Sequence, residues 1–323
     1  MTYFAHARTA LKYGLLNLGF KGGDKLLLPN YVCDALLHPI KSLGLVPVYY
    51  PVRDTFEPQW EALELLASKN TCRAIVMVHY FGQPQNIGLY REFCDAHGLL
   101  LLEDNAHGFG GMVGGKLLGT FGDLGISSPR KILSTASGGI LYINGKEQFP
   151  PSLQPFRTVL VKRLIQQLFG RWPLLKVAAS VLARRLPDFS NPSAFHEPDV
   201  GDMVADNNSD QVIATAVVSG SLPEMASLRR ERWRAWQDMA THIGLVPVYD
   251  KVHPESSPWM FPAYVEPGSQ SSRILKYCLK KGIILSPWPA LPTEVIVRGG
   301  EPVDRWHRLV CAPLHQECPT CWE

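Results

Sequence analysis

No uninterrupted run of 18 or more apolar residues, the length a helix needs to cross a bilayer, occurs in this chain. Its opening stretch, MTYFAHARTALKYG, lacks the apolar core and small-residue cleavage site of a secretory signal. The expected compartment is the cytoplasm. Nor does one sign of charge dominate: 32 Lys and Arg face 29 Asp and Glu, with no long basic run. That balance excludes the electrostatic footprint of a nucleic-acid-binding protein and leaves anionic small molecules open as ligands. Seven cysteines, at positions 33, 72, 94, 278, 311, 318 and 321, follow no framework spacing and read as reduced thiols. Cys318-Pro-Thr-Cys321 has no second pair and no neighbouring His, so no metal is expected there. Internal repeats and low-complexity tracts are absent as well.

What is present is an alternation of helical and strand periods. Ala7–Leu18 reads as a helix stopped at Gly19, Asp24–Leu28 as a strand closed by Pro29, and Tyr31–Leu43 as a second helix ending at Gly44. Strands follow at Val46–Tyr50, Cys72–Val78, Leu99–Leu102, Gly122–Ile126 and Ile140–Ile143, with a helix over Ile87–His97. Strands separated by helices predict an α/β, three-layer, mostly parallel sheet, whose ligands sit beyond the carboxyl ends of the strands. The character changes near residue 151. Residues 156–187 carry Arg157, Lys162, Arg163, Arg171, Lys176, Arg184 and Arg185 with no acid, a pattern of solvated helices or of a weak membrane-surface contact. Proline-containing turns over 187–198 mark a boundary, so 1–190 is expected to form the large domain and 191–323 a smaller α+β domain. A long helix is expected from Ser209 to about His242, broken at Gly220–Pro223.

Three stretches carry residues suited to chemistry, and each also has an ordinary explanation. Arg8 and Thr9 open the first helix, where unpaired backbone N–H groups and the positive end of the dipole suit a phosphate, although Thr is also simply a good cap. In GLLLLEDNAHGFGG, Glu103, Asp104 and His107 end a strand apolar enough to be buried on both faces; Asp104 could merely cap and His107 could be a core imidazole. In SSPRKILSTASGG, Ser128 and Lys131 lie on a turn before two glycines, where a lone Lys is most often a surface charge. Their order is informative. A phosphate-type helix start, an Asp after a buried strand and then a Ser–Lys turn is what a pyridoxal 5′-phosphate enzyme requires: an anchor, a carboxylate for the pyridine nitrogen and an amine for the aldehyde.

With these residues in place the chain resembles the DegT/DnrJ/EryC1/StrS sugar aminotransferases. ARTALKYGLLNLGFKGGDKLLLPN looks like the family's opening helix and strand, AIVMVHYFGQPQNI with REFCDAHGLLLLEDNAHGFGG like its central block, GDLGISSPRKILSTASGGILY like its lysine loop, and CAPLHQECP like its closing strand. The resemblance implies a fold type I large domain and pyridoxal 5′-phosphate as cofactor. Lys131 then carries the aldehyde and later moves the proton, with burial beside Arg130 expected to lower its pKa. Asp104 pairs with the pyridinium nitrogen and His107 touches the phenolic oxygen. Arg8, Thr9 and Ser128 bind the phosphate, Tyr31 stacks on the ring, and Glu103 supports the turn. Retention of Lys131 argues against the family's sugar dehydratases, where this lysine is His.

The implied reaction is amino transfer from L-glutamate to a nucleotide-activated keto-sugar for envelope or capsular polysaccharide, by a homodimer. Three departures from the family pattern are visible. Only six residues precede the opening helix, which leaves an upstream start codon or a more open pocket as explanations. The family's Asn-x-Arg before the long C-terminal helix reads MVADNNSDQ, with Asn207 or Asn208 as substitutes, and Ser127 and Pro129 stand where aromatics are common. These departures keep a second reading open, a family member without turnover that acts as a binding or regulatory partner. A third is a membrane-peripheral protein docking through 156–187.

Overall fold

The computed structural model describes residues 2–133, 135, 137–143, 154–155, 203–204, 213, 216, 220–266 and 271–315. The basic segment 156–187, the expected boundary at 187–198, Asn207, Asn208 and the Cys318–Cys321 pair lie outside the described residues.

The chain opens with β1 (Thr2–Phe4) and α1 (Ala7–Asn17), then β2 (Lys25–Pro29), α2 (Leu37–Ser42), β3 (Val46–Tyr50), α3 (Trp60–Lys69), β4 (Cys72–Val78), α4 (Ile87–His97) and β5 (Leu100–Asn105). A small hairpin of β6 (Met112–Val113) and β7 (Lys116–Leu117) precedes β8 (Leu124–Ser127) and β9 (Gly139–Ile143), with β10 (Gln154–Pro155) and β11 (Met203–Val204) beyond. Among the described residues nine strands make one sheet in the order β10-β11-β1-β9-β8-β5-β4-β2-β3. The run from the β3 edge through β2, β4 and β5 to β8 is parallel. The cause is visible in the strands themselves. Leu26–Leu28, Ala74–Val78 and Leu101–Leu102 are buried runs without alternation, as strands covered on both faces must be. β9 returns antiparallel beside β8 and brings β1 against its other edge. β11 pairs with β1, so the large sheet draws on chain beyond residue 190.

Local signals set several helix ends. Asn86 caps α4 through its side-chain oxygen, which accepts from Leu89 N–H, and Gly98 closes it with φ of 64°. The single helix expected over Tyr31–Leu43 is instead a 3₁₀ turn at Asp34–Leu36 followed by the short α2. A tertiary contact decides this: Asp34 N–H donates to the Ala290 carbonyl, 2.9 Å away, instead of to a preceding helical turn.

The long helix starts at Ser221 and ends at Ala240. Beyond it β12 (Leu245–Pro247), β13 (Met260–Val265), β14 (Ser286–Pro287) and β15 (Leu309–Pro313) form an antiparallel sheet, flanked by helices at Ser271–Lys280, Thr293–Arg298 and Glu301–Arg308. The two sheets share a continuous core. Phe56 stacks on Tyr80 at 4.6 Å between ring centroids, Phe81 meets Trp288 edge-on at 5.3 Å, and buried Arg305 reaches Asp54 at 2.9 Å.

Candidate active site

The carboxyl ends of β4, β5 and β8 and the start of α1 converge on a cleft. Arg8, Asp104, His107, Ser128 and Lys131 line it together, and Arg130 stands among them. Register is what gathers residues so far apart. Val78 pairs with Asp104 and Asp104 with Ile126, so the ends of three parallel strands are level and the loops leaving them meet.

Asp104 is held at both ends of the residue. Its carbonyl accepts from His79 N–H at 3.0 Å, and its Oδ1 accepts from Ala106 N–H at 2.9 Å, which turns the chain toward His107. Oδ2 receives no hydrogen bond from the described residues. Burial raises the Asp104 pKa, and the Ala106 N–H and the Lys131 charge only partly oppose it. A buried carboxylate with an uncommitted oxygen suits a cationic N–H partner.

His107 is buried, and its Nδ1 accepts from Phe81 N–H at 3.2 Å. The proton of the neutral ring is thereby placed on Nε2, which makes that nitrogen a donor. Burial, reinforced by the Lys131 charge, pushes the His107 pKa well below its ordinary value. Phe81 can present its N–H this way because it adopts φ of 56°, followed by Gly82 at φ of 82°. Gly82 is required by space as well, since a Cβ there would lie 2.7 Å from the His107 and Ser257 carbonyl oxygens.

Lys131 ends a 3₁₀ turn started by Pro129, with its backbone N–H on the Ser128 carbonyl at 3.0 Å. It is half-buried, and its Nζ stands 4.4 Å from the centroid of the Trp259 ring. Arg8 lies in the first turn of α1, which is drawn against β9. Gly138 N–H donates to the Ala5 carbonyl at 2.8 Å, and a Cβ on Gly139 would sit 2.2 Å from the His6 carbonyl carbon.

Glu103, adjacent to the site, is 1% exposed and fully bonded. Its Oε1 accepts from Gly119 N–H at 2.6 Å and from His79 Nε2 at 2.9 Å, and its Oε2 from Phe121 and Gly122 N–H at 2.6 and 2.9 Å. Burial raises its pKa, but these bonds and the His79 ring outweigh it and the net shift is downward. Glu103 therefore clamps the 119–122 loop.

Two of the residues singled out in the sequence do not line the cleft. Thr9 is buried within α1. Tyr31 is turned into the aromatic core, with its ring centroid 5.0 Å from Phe56 and 5.4 Å from Trp288. The aromatic wall comes instead from Trp259 and Trp288, which sequence reasoning missed; the His107 ring lies 4.7 Å from the first and 5.4 Å from the second. A signal was available, because both tryptophans occur in the same tripeptide, Ser257-Pro258-Trp259 and Ser286-Pro287-Trp288.

Residues 3–150, which contain all of these β-strand ends and the Lys131 turn, match the family model described as the DegT/DnrJ/EryC1/StrS aminotransferase family. Over those residues the chain is similar to that family. The wider comparisons find similar proteins of the same kind. A GDP-perosamine synthase of Vibrio cholerae is 32% identical over 146 residues, 44% of this chain and 40% of that protein. A dTDP-4-dehydro-2,3,6-trideoxy-D-glucose 4-aminotransferase of Saccharopolyspora spinosa is 31% identical over 199 residues, 55% and 51% of the two chains. The matched region thus spans about half the length of these relatives. A DegT DnrJ EryC1 StrS aminotransferase from Brucella abortus superposes with a TM-score of 0.67 at 18% identity, covering 97% of this chain and 80% of the other. An aminotransferase from Streptoalloteichus hindustanus gives 0.66 at 21%, covering 97% and 79%. The fold is that of these aminotransferases. Among the described residues no helix is long and apolar enough to cross a membrane.

Proposed function

We propose that the protein is a pyridoxal 5′-phosphate-dependent aminotransferase that converts a nucleotide-activated keto-sugar to an amino sugar, with L-glutamate as amino donor. The observation that carries this reading is the complementarity of one cleft: a buried carboxylate with an uncommitted oxygen, an imidazole with its donor defined and a lysine amine, beside Ser128 and the Arg8 helix start. When bound, the cofactor supplies an aldehyde that captures an amine and a ring that accepts the electrons released at the neighbouring carbon.

The chain's own residues supply the rest. Asp104 would hold a proton on the ring nitrogen, with its Oδ2 available for that bond. His107, with Phe81 N–H on its Nδ1, would offer Nε2–H to the ring oxygen. Lys131 would hold the aldehyde through its amine, and that amine, once free, would serve as the base. Arg8, Ser128 and the start of α1 hold the phosphate, with Thr9 supporting that turn from its buried side. Tyr31 backs the cleft wall through Trp288.

The names of the relatives bear on the substrate. They act on GDP-, dTDP- and UDP-linked sugars, the last in an Acidithiobacillus ferrooxidans 3-aminotransferase 28% identical over 155 residues. A sugar dehydratase from E. coli shares the fold at 19% identity, and the lysine at position 131 favours amino transfer over dehydration here. A cytoplasmic homodimer serving polysaccharide synthesis completes the reading. The test is direct: the purified chain, incubated with pyridoxal 5′-phosphate and reduced with borohydride, is digested and the modified peptide identified. Modification at Lys131, lost in Lys131→Ala, and glutamate-dependent conversion of the bound cofactor to its amine form are expected. Trapping that persists in Lys131→Ala, or a cofactor that glutamate does not convert, defeats the proposal.

A further inference from the structure

The helix Ser221–Ala240 buries a stripe at Ala226, Arg229, Trp233, Trp236 and Ala240. The spacing of three and four residues is that of an apolar face against a core, and an arginine occupies one of its positions. Arg229 is 8% exposed, and burial pushes its pKa down to about 10. No carboxylate of the described residues pairs with it; its guanidinium faces three carbonyls. One terminal nitrogen donates to the Pro258 and Trp259 oxygens, both at 3.2 Å, and the other to the Ile132 oxygen at 3.3 Å. An apolar residue would avoid the desolvation, so the role of the arginine lies in what those three carbonyls join.

They join the two sides of the cleft. Ile132 follows Lys131 directly at the end of its 3₁₀ turn, and Trp259 is the residue whose ring covers Lys131 Nζ. Trp259 N–H in turn donates to the Phe81 carbonyl at 3.0 Å, and Phe81 N–H is the group that defines the His107 tautomer. A continuous path therefore runs from the lysine turn through the Arg229 fork and Trp259 to His107. We propose that Arg229 is a positioning residue, holding the Lys131 turn against the Trp259 wall so that the amine and the His107 donor face the same point. This rests on the reading of Lys131 as the reacting lysine. A planar five-donor fork can bond carbonyls on two segments at once, whereas the single ammonium of a lysine cannot span them.

The experiment compares Arg229→Lys with Arg230→Lys, whose parent side chain bonds, among the described residues, the Ser256 carbonyl at 2.7 Å in the neighbouring segment. Cofactor-free protein is treated with trace acetic anhydride, and acetylation of Lys131 relative to Lys25 is read by peptide mass spectrometry. Arg229→Lys is expected to raise Lys131 labelling by about two- to fivefold, the range that release of a partly exposed cation–π contact provides. Arg230→Lys leaves it unchanged. Lys131 labelling unaltered in folded Arg229→Lys overturns the proposal, as does an equal rise in Arg230→Lys. Should Arg229→Lys fail to fold, Trp259→Leu carries the test, since removal of the ring must produce the same rise and an unchanged rate refutes the arrangement. Because the labelling uses no cofactor, it decides the role of Arg229 even if borohydride trapping at Lys131 fails and the proposed function falls.

Discussion

Replacing Glu103 with Gln tests whether the clamp beneath the site is electrostatic and geometric, as its four bonds indicate. Each carboxylate oxygen accepts two donors, Gly119 N–H and His79 Nε2 on one side, Phe121 and Gly122 N–H on the other. A Gln amide nitrogen accepts none, so either orientation of the amide strands two donors, buried on the Gly119 and His79 side and half-buried on the Phe121 and Gly122 side. His79 cannot relieve this by moving its proton to Nδ1, because Nδ1 already accepts from Gln85 N–H at 3.0 Å. At about 1–3 kcal/mol for each unmatched buried group, the loss should be about 2–6 kcal/mol. Urea unfolding at pH 7 measures it, as a lower midpoint with an unchanged slope. The pH dependence supplies an independent check. The folded-state pKa of Glu103 lies below its ordinary value, so the carboxylate contributes its full stability above about pH 4.3 and loses it as pH falls through the folded value. Gln does not titrate, so the gap between parent and Glu103→Gln should close as pH is lowered from 4.5 toward 3. A gap below about 1 kcal/mol at neutral pH, or one independent of pH, refutes the reasoning.

Two further substitutions probe the cleft. His107, whose pKa is depressed by burial, stays neutral when folded but takes up a proton when unfolded; parent stability should therefore fall as pH drops below about 6.5. In His107→Gln that component is absent, and urea midpoints at pH 7.5 and 5.5 should differ less than in the parent, by up to about 1.4 kcal/mol per pH unit. Gly139→Ala puts a methyl 2.2 Å from the His6 carbonyl carbon and must displace the start of α1. A loss of about 1–3 kcal/mol in urea unfolding is expected, together with weaker pyridoxal 5′-phosphate binding by fluorescence titration, and no change in either measurement contradicts the proposed phosphate anchor.

Much of the large sheet was legible because its signals are local. The apolar runs at Leu26–Leu28, Cys72–Val78 and Leu100–Leu102 have no alternation, and Gly19, Gly44 and Gly98 end helices at positive φ. β1 and α3 were not foreseen, and Tyr31–Leu43 was read as one helix because nothing nearby reveals that Asp34 bonds to Ala290. The site divides in the same way. Asp104 stands at the end of β5, and His107, Ser128 and Lys131 come just after strand ends, so their arrival at one edge is implied by parallel topology. The tryptophans that wall the cleft come from segments whose only mark is a repeated Ser-Pro-Trp.

By itself the amino-acid order determined which chemistry could assemble here: a carboxylate and an imidazole after one buried strand, a lysine on the turn after the next, and a helix start suited to phosphate. It did so because strand period, turn residues and capping are written within a few positions of one another. Tertiary structure alone decided how those groups are set. It placed the His107 proton on Nε2 through Phe81, turned Tyr31 into the aromatic core and brought Arg229 to the carbonyl of Ile132, 97 residues away in the chain. Such contacts depend on which surfaces pack together, and neither the spacing nor the composition of either partner segment specifies them.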